Sequence, residues 1–471
     1  MFSLGAARPL RRTRIGNCWF TSRTTRAFRK RKGARAHRAR TCATMSRSIR
    51  VAAVQLRAHA RADFESSIDT IVQRVDGAAS HADLVVLPEG TLPAYVLERD
   101  DVDDAAIATA LSRLASLAEL HRCVIVVGAA LRCGDSLRNA AVVIDVDGRI
   151  AGRADKLFLW HFDRRWFSPG ETIAPVQTSI GRMGVMVCAD GRIPTIARTL
   201  VDRRAEILVM PTAWVTSGRN PHELENVQAD LLARVRAREN GVPFVAANKC
   251  GVELGCVAYC GKSQIVDALG SVVAIADQHQ PEILRASVDL GQSPQRAPHP
   301  APASRQSFTT APVRVAFGID ERGLDVARAM QFLGADLAVT PQRGIAAIDA
   351  VIPTVAVSDD DVHDPGVLAA FRRAGYRAFV WTCRENSGWT ESLARARALE
   401  LRVYAVVFDS FDGRAFAVDP DGMVIAGTFG DFRLAMFSLD PRRTAETTVA
   451  PETDVLEGLE RAGAIAGERY D

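Results

Sequence analysis

The chain has 471 residues, 48% of them apolar and 24% charged, which suits two domains with buried cores and excludes a disordered or fibrous protein. Its formal charge of +4 is misleading, because residues 1–50 hold 13 Arg and 2 Lys and no acid, leaving 44 basic residues against 55 acidic ones in the rest. The folded part is therefore acidic, and neither nucleic acid nor a membrane is an expected partner.

Residues 1–48 form a basic extension with the run Arg29-Lys30-Arg31-Lys32 and no secretory or spanning apolar stretch. Three readings stand: translation begins at Met45, just before the first strand, the Arg-rich leader addresses an organelle, or the segment is a nucleic-acid-binding arm. The odd count of nine cysteines argues against a disulfide scaffold and fits a cytoplasmic protein. Cys250, Cys256 and Cys260 lack the usual C-x2-C knuckle and are expected to pack in the core, so neither a metal nor another cofactor is expected.

A strand is expected over 50–56 and a helix over 63–79, where Ile68, Ile71, Val72 and Val75 share one face. The β-branched run Asp83-Leu84-Val85-Val86-Leu87 closes with Pro88, placing Glu89 where a buried strand opens into a loop. A helix over 104–121 and a strand over 124–130 follow, and then a hairpin in which 140–145 and 149–153 flank Asp147-Gly148. Strands are expected over 184–188, 206–210 and 243–248, alternating with helices over 193–203 and 224–240. Further strands over 263–267, 271–276 and 283–290 complete an α/β domain over 49–292. Residues 293–311, rich in Pro, Ser and Ala, read as a linker, and 312–471 as a second domain.

Cys188 ends an apolar strand and precedes a polar turn and a helix, a place where a thiolate is favoured. Cleaving an amide requires the thiol proton to be removed and later delivered to nitrogen, a task suited to a carboxylate such as Glu89, whose burial would raise its pKa. Negative charge developing on the carbonyl oxygen needs a fixed positive partner, which Lys156 can supply.

Three segments, Leu87-Pro88-Glu89-Gly90, Gly152-Arg153-Ala154-Asp155-Lys156-Leu157 and Gly184-Val185-Met186-Val187-Cys188-Ala189-Asp190, together resemble the nitrilase superfamily of carbon–nitrogen hydrolases. The resemblance implies a four-layer αββα sandwich, with Cys188 as nucleophile, Glu89 as general base and Lys156 at the oxyanion. It adds the backbone N–H of Ala189 as a second oxyanion donor and Trp214 as a pocket residue. Asp163 stands where many relatives carry a glutamate; it either orients Lys156 or substrate, or is a structural acid paired with Arg164 or Arg165. Cys188-Ala189-Asp190-Gly191-Arg192 is similar to the amidase and carbamoylase branches, which implies a small-molecule amide or carbamoyl substrate and a homodimer or homo-oligomer. The alternatives are nitrile hydrolysis and a non-catalytic interaction protein.

The second domain reads as a smaller, partial and chemically silent repeat of the first. At an offset of 130, Val185, Asp190 and Arg198 match Val315, Asp320 and Arg328, setting Cys188 against Gly318. At an offset of 161, Ala233, Arg236 and Glu239 match Ala394, Arg397 and Glu400. Chance similarity of Ala- and Arg-rich helices explains the second match better than the first. No counterpart of the Glu89 or Lys156 segments is evident.

Overall fold

The computed structural model describes residues 47–98, 102–218, 222–291, 303, 311–319, 332–341, 345–384, 388–430 and 433–467. Most of the basic extension and nearly all of the expected linker lie outside the described residues.

Alternation along the first strand, β1 (Ser48–Arg57), decides the layering. Val51 and Ala53 face one buried cluster, Ala52 and Val54 another. Parallel to β1 runs β2 (Leu84–Val86), followed by β3 (Val124–Cys133) and the antiparallel β4 (Ser136–Ile144) and β5 (Ile150–Asp155). On one face of this sheet lie α1 (Phe64–Ala79) and α2 (Asp104–His121), which bury Ile71 and Val75, and Ile107 and Leu114, against it. Asp103 caps α2 by accepting from Ala106 N at 2.9 Å.

The second sheet begins with β6 (Val176–Thr178) and β7 (Gly181–Val185), continues through α3 (Pro194–Asp202) to β8 (Ile207–Pro211), and through α4 (Ala233–Asn240) to β9 (Phe244–Ala247). A hairpin of β10 (Lys249–Glu253) and β11 (Val257–Cys260) returns to the first sheet. Then β12 (Gln264–Val266) and β13 (Val272–Ile275) close the second sheet, and β14 (Glu282–Asp289) pairs antiparallel with β1. Val51, Val86 and Val126 of the first sheet share a cluster with Val185, Val209 and Val245 of the second. With α3 and α4 covering the far side, this half is an αββα sandwich. Each such buried side chain contributes about 1.5–3 kcal/mol.

The helix expected over 224–240 is shorter: a π turn over Gln228–Leu232 runs into α4. The β10–β11 hairpin was unexpected, because its Gly- and Cys-rich sequence lacks clear alternation. Within it Cys250 is buried, as is Cys260, whereas Cys256 is exposed.

The second half is a smaller α/β unit. A three-stranded sheet contains β15 (Val313–Gly318), β16 (Leu337–Val339) and, antiparallel to β15, a strand over Leu434–Leu439. A five-stranded sheet runs in the order β17 (Thr354–Val357), β18 (Ala378–Cys383), β19 (Tyr404–Asp409), β20 (Arg414–Val418) and β21 (Val424–Gly427). Its order and strand directions parallel those of β7, β8, β9, β12 and β13.

This register corrects the match at offset 130. Val185 ends β7, whereas Val315 and Gly318 lie in β15, which pairs antiparallel along its length as β1 does with β14. Apolar strand composition produced that alignment. The match at offset 161 instead sets α4 against the helix Thr390–Leu401, and these two helices pack on each other. Arg236 pairs with Glu239 and Glu400, and Arg397 with Glu400 at 2.6 Å and Glu239 at 2.5 Å, all four side chains being essentially without exposure. Such a cluster is tolerated in a core only because every charge is matched.

Candidate active site

Glu89 lies just beyond β2, with no exposure. A Cβ on Gly128 would come within 2.5 Å of Glu89 Cα and Pro88 O, so the bare backbone of β3 lets the Glu89 loop lie against it. Oε1 of Glu89 accepts from Asn139 Nδ2 at 2.7 Å and Lys156 Nζ at 2.8 Å. Its Oε2 is buried without a hydrogen-bond partner among the described residues.

Lys156 follows β5, and its backbone N–H donates to Asn139 O at 2.8 Å. Asn139, on β4, therefore holds the acid by its side chain and the lysine by its backbone. Lys156 Nζ also reaches Asp163 Oδ2 at 2.5 Å. Burial lowers the pKa of Lys156, but Asp163, Glu89 and Cys188 outweigh it and raise the pKa well above the ordinary value. The ammonium is held charged.

Asp163 occupies a 3-10 turn, His161–Arg165, and accepts from Trp160 N at 2.9 Å. Its carboxylate turns to Lys156, while Arg164 faces Glu457 at 3.6 Å. Of the two readings open from the sequence, the geometry matches contact with the lysine.

Cys188 begins a 3-10 turn, Cys188–Arg192, at φ +46°, in the left-handed region that non-glycine residues seldom adopt. Asp190 fixes this turn: Oδ2 accepts from Val187 N at 3.0 Å, and Oδ1 from Leu157 N at 3.0 Å and Phe158 N at 2.8 Å. The nucleophile turn is thus tied to the residues after Lys156. Burial pushes the Asp190 carboxyl up to about 6, against the lowering effect of those N–H donors.

The dipole that favours a thiolate at Cys188 is opposed by burial. Burial raises the thiol's pKa, and Glu89 raises it further, against smaller lowering effects of Lys156, Thr212 and Ala213. A turn of five residues supplies little dipole, and removal from water outweighs it. Ala189 is buried beside the sulfur in the first turn, where N–H groups have no intrahelical acceptor.

Cys188, Ala189 and Trp214 line a cavity of about 660 Å³. Glu89 and Lys156 are fully buried. Sequence reasoning missed Asn139 and gave no individual role to Ala213 or Tyr95; the Tyr95 ring lies 5.9 Å from Lys156 Nζ and also lines the cavity. The Pro93 segment before Tyr95 carried no catalytic signal.

A profile of the carbon–nitrogen hydrolase family matches residues 50–296. A citrullinase from Francisella tularensis is 30% identical over 273 residues, covering 53% of this chain and 92% of that protein. A probable nitrilase from Schizosaccharomyces pombe is 32% identical over 152 residues, 32% of this chain; the match spans about half (53%) of that relative's length. Among solved structures, an amidase from Nesterenkonia sp. is 26% identical, with a TM-score of 0.46, covering 52% of this chain and 91% of that one.

Proposed function

This chain belongs to the carbon–nitrogen hydrolase family, and on that premise we propose that it hydrolyses a small amide or N-carbamoyl compound through a thioester on Cys188. The observation that carries this reading is the buried contact of Lys156 with both Glu89 and Asp163 beside a thiol that lines a cavity.

The chemistry follows from the charges. Cys188 rests as a thiol, so attack needs a base, and the unpartnered oxygen of Glu89 is available to take the proton. As sulfur bonds to the carbonyl carbon, the oxyanion meets the Lys156 ammonium and the Ala189 N–H. Collapse expels the nitrogen, which leaves as ammonia or an amine with the proton from Glu89. Water, giving a proton to Glu89, then adds to the thioester; the acid departs and the thiol is restored. Asp163 keeps Lys156 charged and aimed, and Trp214 forms part of the substrate wall.

The second half, residues 312–471, is in this reading a shortened and chemically silent copy of residues 49–292. Its support is the shared strand order and a repeated anchor: Arg50 N donates to Asp83 Oδ2 at 2.8 Å beside β1, and Arg314 N to Asp336 Oδ2 at 2.8 Å beside β15. A screen of ammonia release from amides, N-carbamoyl compounds and nitriles tests the activity. Release from amides or carbamoyl compounds, abolished in Cys188→Ala, is the expected result; turnover of nitriles alone overturns the substrate class.

A further inference from the structure

The cavity over Cys188 is not closed by the first half alone. On the side of the second half it is lined by Leu399, Met423, Thr448 and Val449 together with Arg395 and Arg402. At about 660 Å³ it falls within the range of about 300–1,000 Å³ that holds ligands of drug size. A short amide would leave most of it empty.

The charges around it are largely engaged within the protein. Arg402 donates to Pro420 O and Asp421 Oδ1, at 2.7 and 2.6 Å, and to Glu446 O at 2.7 Å. Arg395 donates to Gly422 O at 2.9 Å, and Asp230 accepts from Lys262 at 2.7 Å. The Arg192 guanidinium lies 4.4 Å from the Trp160 ring centre. Two neutral groups differ: the indole Nε1 of Trp214 and Oε1 of Gln228 are buried in the lining and make no hydrogen bond among the described residues. One is a donor and the other an acceptor.

We infer that the second half is a substrate-recognition wall, and that the substrate is an elongated, uncharged amide whose body passes the lining residues Trp214 and Gln228 while its tail lies against Leu399, Met423, Thr448 and Val449. This rests on the hydrolase reading above. Thr448 and Met423 are exposed at the cavity, so a larger side chain there fills the tail space without crowding the core.

The test uses full-length protein and primary amides of increasing length, from propanamide to 8-hydroxyoctanamide. In the native protein kcat/KM should rise with length, and in Thr448→Trp or Met423→Trp the ratio of long to short should fall at least ten-fold. Binding of 8-hydroxyoctanamide to Cys188→Ala, with and without Thr448→Trp, gives a readout independent of turnover; the added tryptophan should weaken Kd at least ten-fold. If neither amides nor N-carbamoyl compounds are hydrolysed but this binding and its loss persist, the hydrolase reading fails and the recognition wall stands. A native series flat with length, ratios unchanged by both substitutions, or no binding sensitive to Thr448→Trp overturns the wall.

Discussion

Arg236 and Arg397 do matching work on the two sides of the molecule. Arg236 Nε donates at 2.9 Å to the carbonyl of Gly191, three residues beyond Cys188; Arg397 Nε donates at 3.0 Å to that of Val362, three residues beyond Asp359. Both turns follow comparable parallel strands, β7 and β17. Where the first half presents a thiol, the second presents a carboxylate that accepts from Trp381 Nε1 at 2.8 Å and Arg384 N at 3.2 Å. The acid position differs as well: Pro88-Glu89 follows β2, and Pro341-Gln342 follows β16 in the sequence. Among the described residues no strands corresponding to β3, β4 and β5 lie between β16 and β17, and so nothing there carries a Lys156. On the proposed reading of the second half as a copy, the frame that shapes a nucleophile turn is kept without the chemistry, because frame and reactive groups are held by different bonds.

The sharpest way to break this comparison is to exchange the fates of the two turns. Cys188→Ala should lower kcat by about 10⁴-fold or more, as removal of a nucleophile does. Asp359→Ala should leave kcat within about two-fold, since its partners lie away from the cavity. Steady-state ammonia release measures both, and a large loss in Asp359→Ala would mean that the second half takes part in the chemistry.

Next in size is the charge cluster that joins the halves. Arg397→Met leaves Glu239 and Glu400 each short of one cation and should cost about 3–5 kcal/mol of unfolding free energy, read by denaturant titration. Arg236→Met should cost a similar amount, because the cluster is repeated about its centre. Unequal losses would show that one half dominates the interface.

A smaller effect is expected at Asn139, whose amide has no counterpart strand in the second half. Asn139→Ala removes a hydrogen bond to a buried carboxylate, about 1.5–3 kcal/mol, and should lower kcat about ten- to a hundred-fold. Stability measured in parallel separates misplacement of Glu89 from general loosening.

The gentlest probe is pH. Asp190 titrates near 6 rather than at its ordinary 3.8. Below about 6 it gains a proton, accepts its three N–H donors less well, and kcat/KM should fall; Asp190→Asn should lack this step. The stability sign is opposite. A raised folded pKa means the native state binds the proton more tightly, so the contribution from Asp190 is fully present below about 3.8 and is lost as pH rises through about 6. Activity and this stability contribution should move in opposite directions between those values.

Much of the site was legible because its parts sit at strand ends marked by short motifs. Glu89 follows a β-branched run and a proline, and Cys188 ends an apolar strand before a polar turn. The role of Asn139 was hidden, since it depends on β4 lying between β3 and β5 and on one side chain facing inward. The balance at the Cys188 thiol was hidden, because a strand-to-turn pattern reveals a nearby dipole but not the depth of burial that opposes it. The likeness of Arg236 and Glu239 to Arg397 and Glu400 was visible in the sequence and falls on two helices that pack on each other, whereas the match at offset 130 rests on Val and Ala, which recur in any buried sheet.

The proposed reaction passes through a covalent acyl group on Cys188. The most direct measurement is mass spectrometry of protein acid-quenched during turnover of an amide. A mass gain equal to the acyl group is expected, located on the peptide containing Cys188 and absent from Cys188→Ala. Continued hydrolysis by Cys188→Ala, or an adduct only on another residue, would contradict it.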